Sequence, residues 1–427
     1  GSAVFVMLGA VLERAFPVPM VDFRVLYQPA RSLIQHADPY NRDEVLRVSR
    51  LDGGDRSSDT EKVRQVVTQY LYPPTSFCLS LPFAMLPWGP ARMLWITLTV
   101  GGLIFASYLT WILASDYSPV LAGAMAGFLL ANSELLVSTG NVAGIVISLC
   151  VVAVWCFIRE RFVPAGILCL AIGLAAKPHD PGLVWLYFLL AGGVYRKRAW
   201  QTLVTAVALS LPAVLWVSLV APQWMRELHA NMLAFSVHGG MNDPGLASTG
   251  AHGIGMLVSL QAIFGILWDD PRIYNPASYL TFAPLFLVWA WFTLKSQRSP
   301  EKVWLALAAA AALTMLPVYH RQQDTKLLLL TIPACAMLWS EGGLIAWLAL
   351  LVNSAGFLLT GDIPWAVFLG LIGKLLPLIN GFIGKILIGF ELFSVPVILL
   401  IMGIFYLWVY VRRCSADTRQ NAHQGHG

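Results

Sequence analysis

Apolar and polar positions in this chain segregate into blocks. From Met93 onward, long apolar runs follow one another across short polar turns. Runs at 93–114, 118–137, 142–158, 163–176, 182–195 and 200–220 read as membrane-spanning helices. After a polar stretch at 222–278, further runs follow at 279–294, 303–318, 326–340, 343–360 and 394–411. About 20 apolar residues carry a helix across a bilayer. Unbroken runs, rather than ten-residue alternating segments, predict a helix bundle and not a barrel. With Ala3–Phe16 as a short first span, the pattern predicts an all-α integral membrane protein with about 12 transmembrane helices.

The region before Met93 breaks this rhythm. Pro17 to Tyr72 is polar. Within it, Arg24–His36 carries apolar residues at Val25, Leu26, Ala30, Leu33 and Ile34, a spacing that predicts a helix lying on the membrane surface. Asn41–Gln69 mixes both charges and holds a turn at Asp52-Gly53-Gly54-Asp55. Ser76–Leu86 is apolar but short and contains Pro82, which predicts an interfacial or re-entrant helix. Near the other end, 363–392 carries Lys374 and Lys385 in a broken apolar run that reads equally as a hairpin or an interfacial pair. There is no internal repeat. The chain is read as one polytopic domain over 1–427, with a first extracytoplasmic loop at 17–91 and a second large one at 222–278.

Composition agrees with the pattern. The chain is 57% hydrophobic and only 12% charged, about half the charge of a soluble domain; its mean hydropathy is +0.68. The net charge of +5 is modest and sits in short loops, so it speaks to topology and not to nucleic acid. Six scattered cysteines form no CxxC pair and read as packing residues. No cleavable leader is visible, and Gly1-Ser2 without a methionine reads as a cloning remnant ahead of a shortened native start.

Orientation follows from Lys and Arg. The clusters Arg159/Arg161, Arg196-Lys197-Arg198, Lys295/Arg298/Lys302 and Arg412-Arg413 fall on one side if 363–392 adds an even number of crossings. That side is taken as the cytoplasm. The same count places 17–91, 138–141, 177–181, 222–278, 319–325 and 361–363 together on the outer face of the plasma (inner) membrane.

The candidate chemistry gathers on that outer side. Asp22 stands just beyond the first span. Lys177-Pro178-His179-Asp180-Pro181 puts three titratable groups into one turn, where Lys177 and His179 suit a phosphate. The turn Tyr319 to Lys326 holds His320, Arg321 and Lys326 against the positive-inside bias, which points to an anionic partner. Gly140-Asn141 opens a helix, and Asn caps helices well. Glu134 lies inside an apolar run. The 222–278 stretch holds His229, His238 and His252, but their spacing matches no zinc pattern. No phosphate-binding loop, GxSxG or HExxH occurs.

Taken in order, Asp22-Phe23 with Tyr27, Asp38-Pro39-Tyr40 and Tyr72-Pro73-Pro74 resemble the first extracytoplasmic loop of GT-C superfamily glycosyltransferases. The most similar group is the polyprenol-phosphate-mannose-dependent family eighty-seven, which includes phosphatidylinositol-mannoside mannosyltransferases. Gly140-Asn141, Lys177-Pro178, Ser259-Leu260-Gln261 and His320-Arg321 with Asp324 follow in the expected order. Two departures are Thr139-Gly140-Asn141 where family members often carry Gly-Gln-Asn, and Ala37 before Asp-Pro-Tyr where they often carry Gly. The resemblance implies a GT-C fold and an inverting transfer, without metal or other cofactor, of a sugar such as mannose from a polyprenyl-phosphate donor to a hydroxyl of a lipid or glycan acceptor. It implies Asp22 as general base. It implies substrate contacts at Lys177, His179, His320, Arg321, Lys326, Tyr27, Tyr40, Asn141 and Gln261. A transporter or flippase using Glu134, Lys177 and Asp180 is the competing reading. Transporters place such groups near the midplane and often show paired halves, whereas here they crowd one face.

Overall fold

The computed structural model describes residues 1–15, 19–51, 70–240, 242–245, 257–296, 299–375 and 382–424, with side chains except at 15, 372–375, 382–393 and 417–424. The predicted turn at 52–55, His252 and the middle of the 363–392 segment lie outside the described residues. The described residues are helical apart from turns and one isolated antiparallel bridge between Leu257 and Arg321.

In chain order the helices are α1 (Ser2–Ala15), α2 (Val21–Ile34), α3 (Arg42–Leu51), α4 (Phe77–Ala84), α5 (Trp88–Ser115), α6 (Pro119–Ala131), α7 (Leu135–Ser138), α8 (Ala143–Ile158), α9 (Val163–Ala176) and α10 (Gly182–Leu190). Then come α11 (Gly193–Val220), α12 (Trp224–Ser236), α13 (Leu260–Leu267), α14 (Pro271–Lys295) and α15 (Pro300–Leu313). A 3₁₀ helix (Gln322–Thr331) precedes α16 (Ile332–Glu341), α17 (Gly343–Leu359), α18 (Asp362–Leu375) and α19 (Phe382–Gln424).

Of the crossings expected from sequence, five helical segments are long and apolar enough to span a bilayer: Trp88–Ser115, Pro119–Ser138, Gly193–Val220, Pro271–Lys295 and Ser394–Ala416. The bent pair α17–α18 makes six if it is one span. The protein is therefore a multi-pass membrane protein, with shorter helices filling the bundle between the long ones. The run 182–195 shows why the two counts differ. Its helix is nine residues long, about 14 Å at 1.5 Å per residue, and Gly192 at φ 78° ends the run before α11 begins. Likewise 326–340 opens as tight 3₁₀ turns before becoming α16.

Local signals set the helix starts. Ser118, Asp270 and Ser299 each precede a proline at the first helical position. Asp270 Oδ1 accepts from Arg272 N at 2.8 Å. The core is built around α15, whose residues 302–313 are all buried. Its Ala308–Ala312 stretch keeps side chains small, so neighbouring helices approach closely. Gly403 of α19 meets Leu313 there, with no room for a Cβ.

The helix expected to lie on the membrane surface is instead a wedge. In α2, nine residues from Phe23 to Leu33 are buried. Phe23 stacks on Trp95 and Trp88 at 4.3 and 5.4 Å between centroids. Tyr27 donates to Leu86 O at 2.8 Å, and Arg31 to Ala84 O at 3.0 Å. The wedge is seated by the turn 138–141. Met20 N donates to Ser138 O and Asp22 N to Thr139 O, at 2.9 and 2.8 Å. The turn closes this tightly because Gly140 has φ 67°. A Cβ there would lie 2.8 Å from Phe23 Cβ and 2.9 Å from Met20 Cε. Gly140→Ala adds left-handed backbone strain to that overlap, so it is expected to cost about 2–4 kcal/mol. Thermal unfolding in detergent measures this; an unchanged melting temperature would contradict the seating.

The two ends of the bundle carry different chemistry. At one end Arg159 pairs with Asp116 at 2.8 Å, Arg198 with Glu160 at 3.2 Å, and Arg413 with Glu301 at 3.1 Å and with Glu341. Burial pushes the Tyr117 phenol up, a hydrogen bond with Trp304 opposes it, and Glu301 and Asp116 add to the rise against Arg159, so these turns share one neighbourhood. The other end carries Asp22.

Candidate functional site

Asp22 is the second residue of α2 and is half-buried. Asn141 Nδ2 donates to its Oδ2 at 2.8 Å across 119 residues of sequence. The amide cannot turn round, because Asn141 Oδ1 accepts from Ala143 N at 2.9 Å at the start of α8. Asn141 therefore fixes the carboxylate's direction as well as opening the helix. Tyr72 lies across the same space. Burial first pushes its phenol up, Lys177 opposes, and the charges of Asp22, Tyr319 and Asp324 add to the rise. One phenol thus feels groups from three separate stretches of chain.

Two turns supply the cations. In the 177–181 turn, Lys177 is buried and its Nζ is held by Asp180 Oδ2 at 3.1 Å and by Asp324 Oδ1. Burial pulls the ammonium pKa down, but Asp180 and Asp324 outweigh it and keep Lys177 charged. Asp180 is correspondingly held low: burial favours its acid, yet Lys177 and His320 prevail. His320 approaches Asp180 Oδ1 at 3.5 Å through Nε2, while its Nδ1 lies 3.0 Å from Val318 O. A carbonyl only accepts, so Nδ1 carries the hydrogen. His179 packs edge-on against His320, with centroids 4.8 Å apart. Burial, with Lys177 and His320 helping and Asp180 opposing, drops its pKa to about 3, so the ring is neutral.

His179, Asp180, His320 and Asp324 bring four ligand-type atoms within 4.8 Å of one another, a spacing compatible with a metal ion. The Lys177 ammonium already lies between the two carboxylates. It supplies there the positive charge that a metal would bring.

Arg321 joins this cluster to Asp22. Its backbone N donates to Asp324 Oδ2 at 2.9 Å, its Nη2 to Asn242 Oδ1 at 3.1 Å, and its Nε to the Tyr319 hydroxyl. Burial lowers the guanidinium pKa, but Tyr319, Asp22 and Asp324 together raise it. The bridge from Leu257 to Arg321, with Val258 N donating to His320 O at 3.1 Å, ties the 320 turn to the 222–278 stretch. Next to it lies a cavity of about 220 Å³, lined by Asn242, Ser259, Gln261, Asn275 and Tyr319 among others. Gln261 Nε2 donates to Pro317 O at 2.7 Å, and its buried Oε1 has no partner.

A carboxylate aligned by an amide, within the electrostatic reach of a guanidinium beside a hydroxyl-lined cavity, suits transfer of a sugar. The family profile described as Glycosyltransferase family 87 matches residues 70–338. The chain belongs to glycosyltransferase family 87. No match was found among curated proteins. The family 87 match takes in the 140, 177, 259 and 320 segments. It begins after Asp22, Tyr27 and Tyr40, so what Asp22 does in this glycosyltransferase rests on its geometry.

The structure does not gather every residue expected to touch substrate. Lys326 is buried elsewhere, with Nζ donating to Asn132 O at 2.6 Å and to Thr360 O and Asp362 Oδ1 at 2.9 Å each. An ammonium has three donors, so Lys326 has none left for a phosphate; it pins α18 to the end of α6. Tyr27 spends its hydroxyl hydrogen on Leu86 O, and Tyr40 on Tyr72 O at 2.9 Å. Both shape the loop that carries Asp22 and Tyr72. Glu134 is buried near Lys326 and Asp362, and its carboxylate oxygens accept no hydrogen bond. His238 lies 3.6 Å from Asp243 and 3.7 Å from Asp269, a grouping the sequence spacing hides. Asp243 is already employed, accepting from Gly239 N and Gly245 N at 2.8 and 2.9 Å. The residues to which the sequence assigns no site role are Tyr72, Asn242 and Tyr319, and it does not show the pairing of Lys177 to Asp180 and Asp324.

Proposed function

We propose that this family 87 glycosyltransferase moves a sugar, mannose in the reading favoured here, from a polyprenyl-phosphate donor to an acceptor hydroxyl, with inversion and without a metal, on the extracytoplasmic face of the plasma membrane. The observation that carries this reading is the Asp22 carboxylate, aimed by Asn141 and sharing one electrostatic neighbourhood with Arg321 and Tyr72.

The steps follow from charge. Asp22 takes the proton of the acceptor hydroxyl as that oxygen attacks the anomeric carbon. The bond from that carbon to the phosphate oxygen breaks on the opposite side, and the phosphate keeps the electron pair. A phosphate monoester is stable as an anion near neutral pH, its second pKa being about 6, so the leaving group needs no general acid. It needs cations, and Arg321 supplies one with Lys177 behind it, while the neutral His179 adds no charge. The cavity beside Arg321 suits the sugar ring, because donor sugar and donor phosphate are one bond apart. The unpartnered Gln261 Oε1 offers an acceptor to a sugar hydroxyl. Lys177, bound between Asp180 and Asp324, fills the place of a cation, which supports the metal-free reading.

The test is reconstitution. Liposomes holding the protein and polyprenyl-phosphate mannose, supplied with membrane lipid extract, are expected to yield a glycoside of inverted anomeric configuration and free polyprenyl phosphate. EDTA should leave the rate unchanged. Loss of activity in EDTA that Mn²⁺ or Mg²⁺ restores would remove the metal-free mechanism.

A further inference from the structure

A second cavity shares no lining residue with the first or with the histidine cluster. It is a lateral groove of about 450 Å³ between α1 and α5. Its walls are apolar along most of their length, with Val6 and Ala10 on α1, Ile96 and Val100 on α5, and Val137 lining it as well. One end is charged. There Arg92 pairs with the buried Glu13, and the exposed Arg14 lies beside them. Two guanidinium groups against one carboxylate leave that end net positive.

An apolar trough with a positive mouth matches a lipid whose headgroup carries a phosphate. The mouth is also close to Asp22. Arg92 stands one turn before Trp95, whose Nε1 donates to Gly140 O at 2.9 Å, and the next residue, Asn141, holds Asp22. The donor phosphate is assigned above to the Arg321 side. In an inverting displacement the nucleophile arrives from the side of the base.

We infer that this groove holds the tail of a membrane-anchored acceptor with an anionic headgroup, which delivers its hydroxyl to Asp22. The acceptor role rests on the transferase reading; lipid occupancy of the groove does not.

Gly101 lines the groove, and a Cβ added there meets no atom within 4 Å. Gly101→Trp therefore starts from an open position and projects an indole into the trough. The probe is phosphatidylglycerol with a diazirine in its acyl chain, in liposomes with the full chain. Photolabel is expected on the peptides of α1 and α5, and it should fall at least about tenfold in Gly101→Trp. Arg14→Gln should lower it about fivefold, the worth of one basic residue near a lipid phosphate. In the same liposomes Gly101→Trp should slow sugar transfer to lipid extract and leave binding of polyprenyl phosphate unchanged. Undiminished labelling in Gly101→Trp would overturn the lipid site. Labelling lost with transfer intact would overturn the acceptor role. A wild-type protein that transfers no sugar would overturn the transferase reading and the acceptor role with it, while the labelling still decides the groove.

Discussion

Asp22→Asn is expected to lower the rate of sugar transfer about 10²–10⁴-fold, the usual worth of a positioned general base. The amide is nearly the same shape as the carboxylate. Its oxygen can still accept from Asn141 Nδ2, and its backbone N still donates to Thr139 O. Asp22 is half-buried and, among the described residues, belongs to no buried ion pair, so stability should move by no more than about 0.5 kcal/mol. What disappears is the proton acceptor. The rate should fall at saturating donor and acceptor, with the melting temperature unmoved. Transfer at the wild-type rate by purified Asp22→Asn would remove Asp22 from the chemistry.

Arg321→Ala is expected to cost about 10²–10³-fold in transfer, the range for removing one donor aimed at developing negative charge. The backbone of the 320 turn should survive the change. Arg321 N still donates to Asp324 Oδ2, Val258 N still donates to His320 O, and Lys177 still binds Asp324. The loss should therefore fall on the donor. Polyprenyl phosphate should bind more weakly, while the KM for the acceptor changes little. Arg321→Lys should recover only part of the rate, because a single ammonium cannot reach Tyr319 and Asn242 as the guanidinium fork does. Equal weakening toward donor and acceptor would contradict a phosphate role.

The sequence was most legible where one apolar run makes one helix. The runs 142–158 and 163–176 are α8 and α9 almost to the residue. It was less legible where charge lies inside a helix. Arg196-Lys197-Arg198 reads as a loop, yet it occupies the first turns of α11, with Arg198 donating to Phe157 O at 2.7 Å. Cations at a helix end can reach the interface without ending the helix. The stretch 222–278 reads as a polar loop because α12 and α13 are short and flanked by Gly, Asn and Asp.

At the candidate site, the polar segments were visible in the sequence and their pairing was not. Asp22, Asn141, Lys177 and Arg321 stand out as polar groups in outer turns, but sequence cannot show which of them meet. Lys177 and Lys326 look alike in one dimension. The fold places the first beside the 320 turn, and surrounds the second with three oxygen acceptors far from that turn in sequence. Tyr72 was visible in its Tyr-Pro-Pro setting. Its importance emerges only when burial and four charged or polar neighbours converge on the phenol.

The most direct measurement is a structure of the protein with a non-transferable polyprenyl-phosphonate mannoside bound. The account predicts phosphonate oxygens in hydrogen-bond contact with the Arg321 guanidinium, the sugar in the cavity against Gln261, and the open face of the anomeric carbon turned toward Asp22. A phosphonate seated at Arg14 and Arg92, or an anomeric carbon facing away from Asp22, would contradict it.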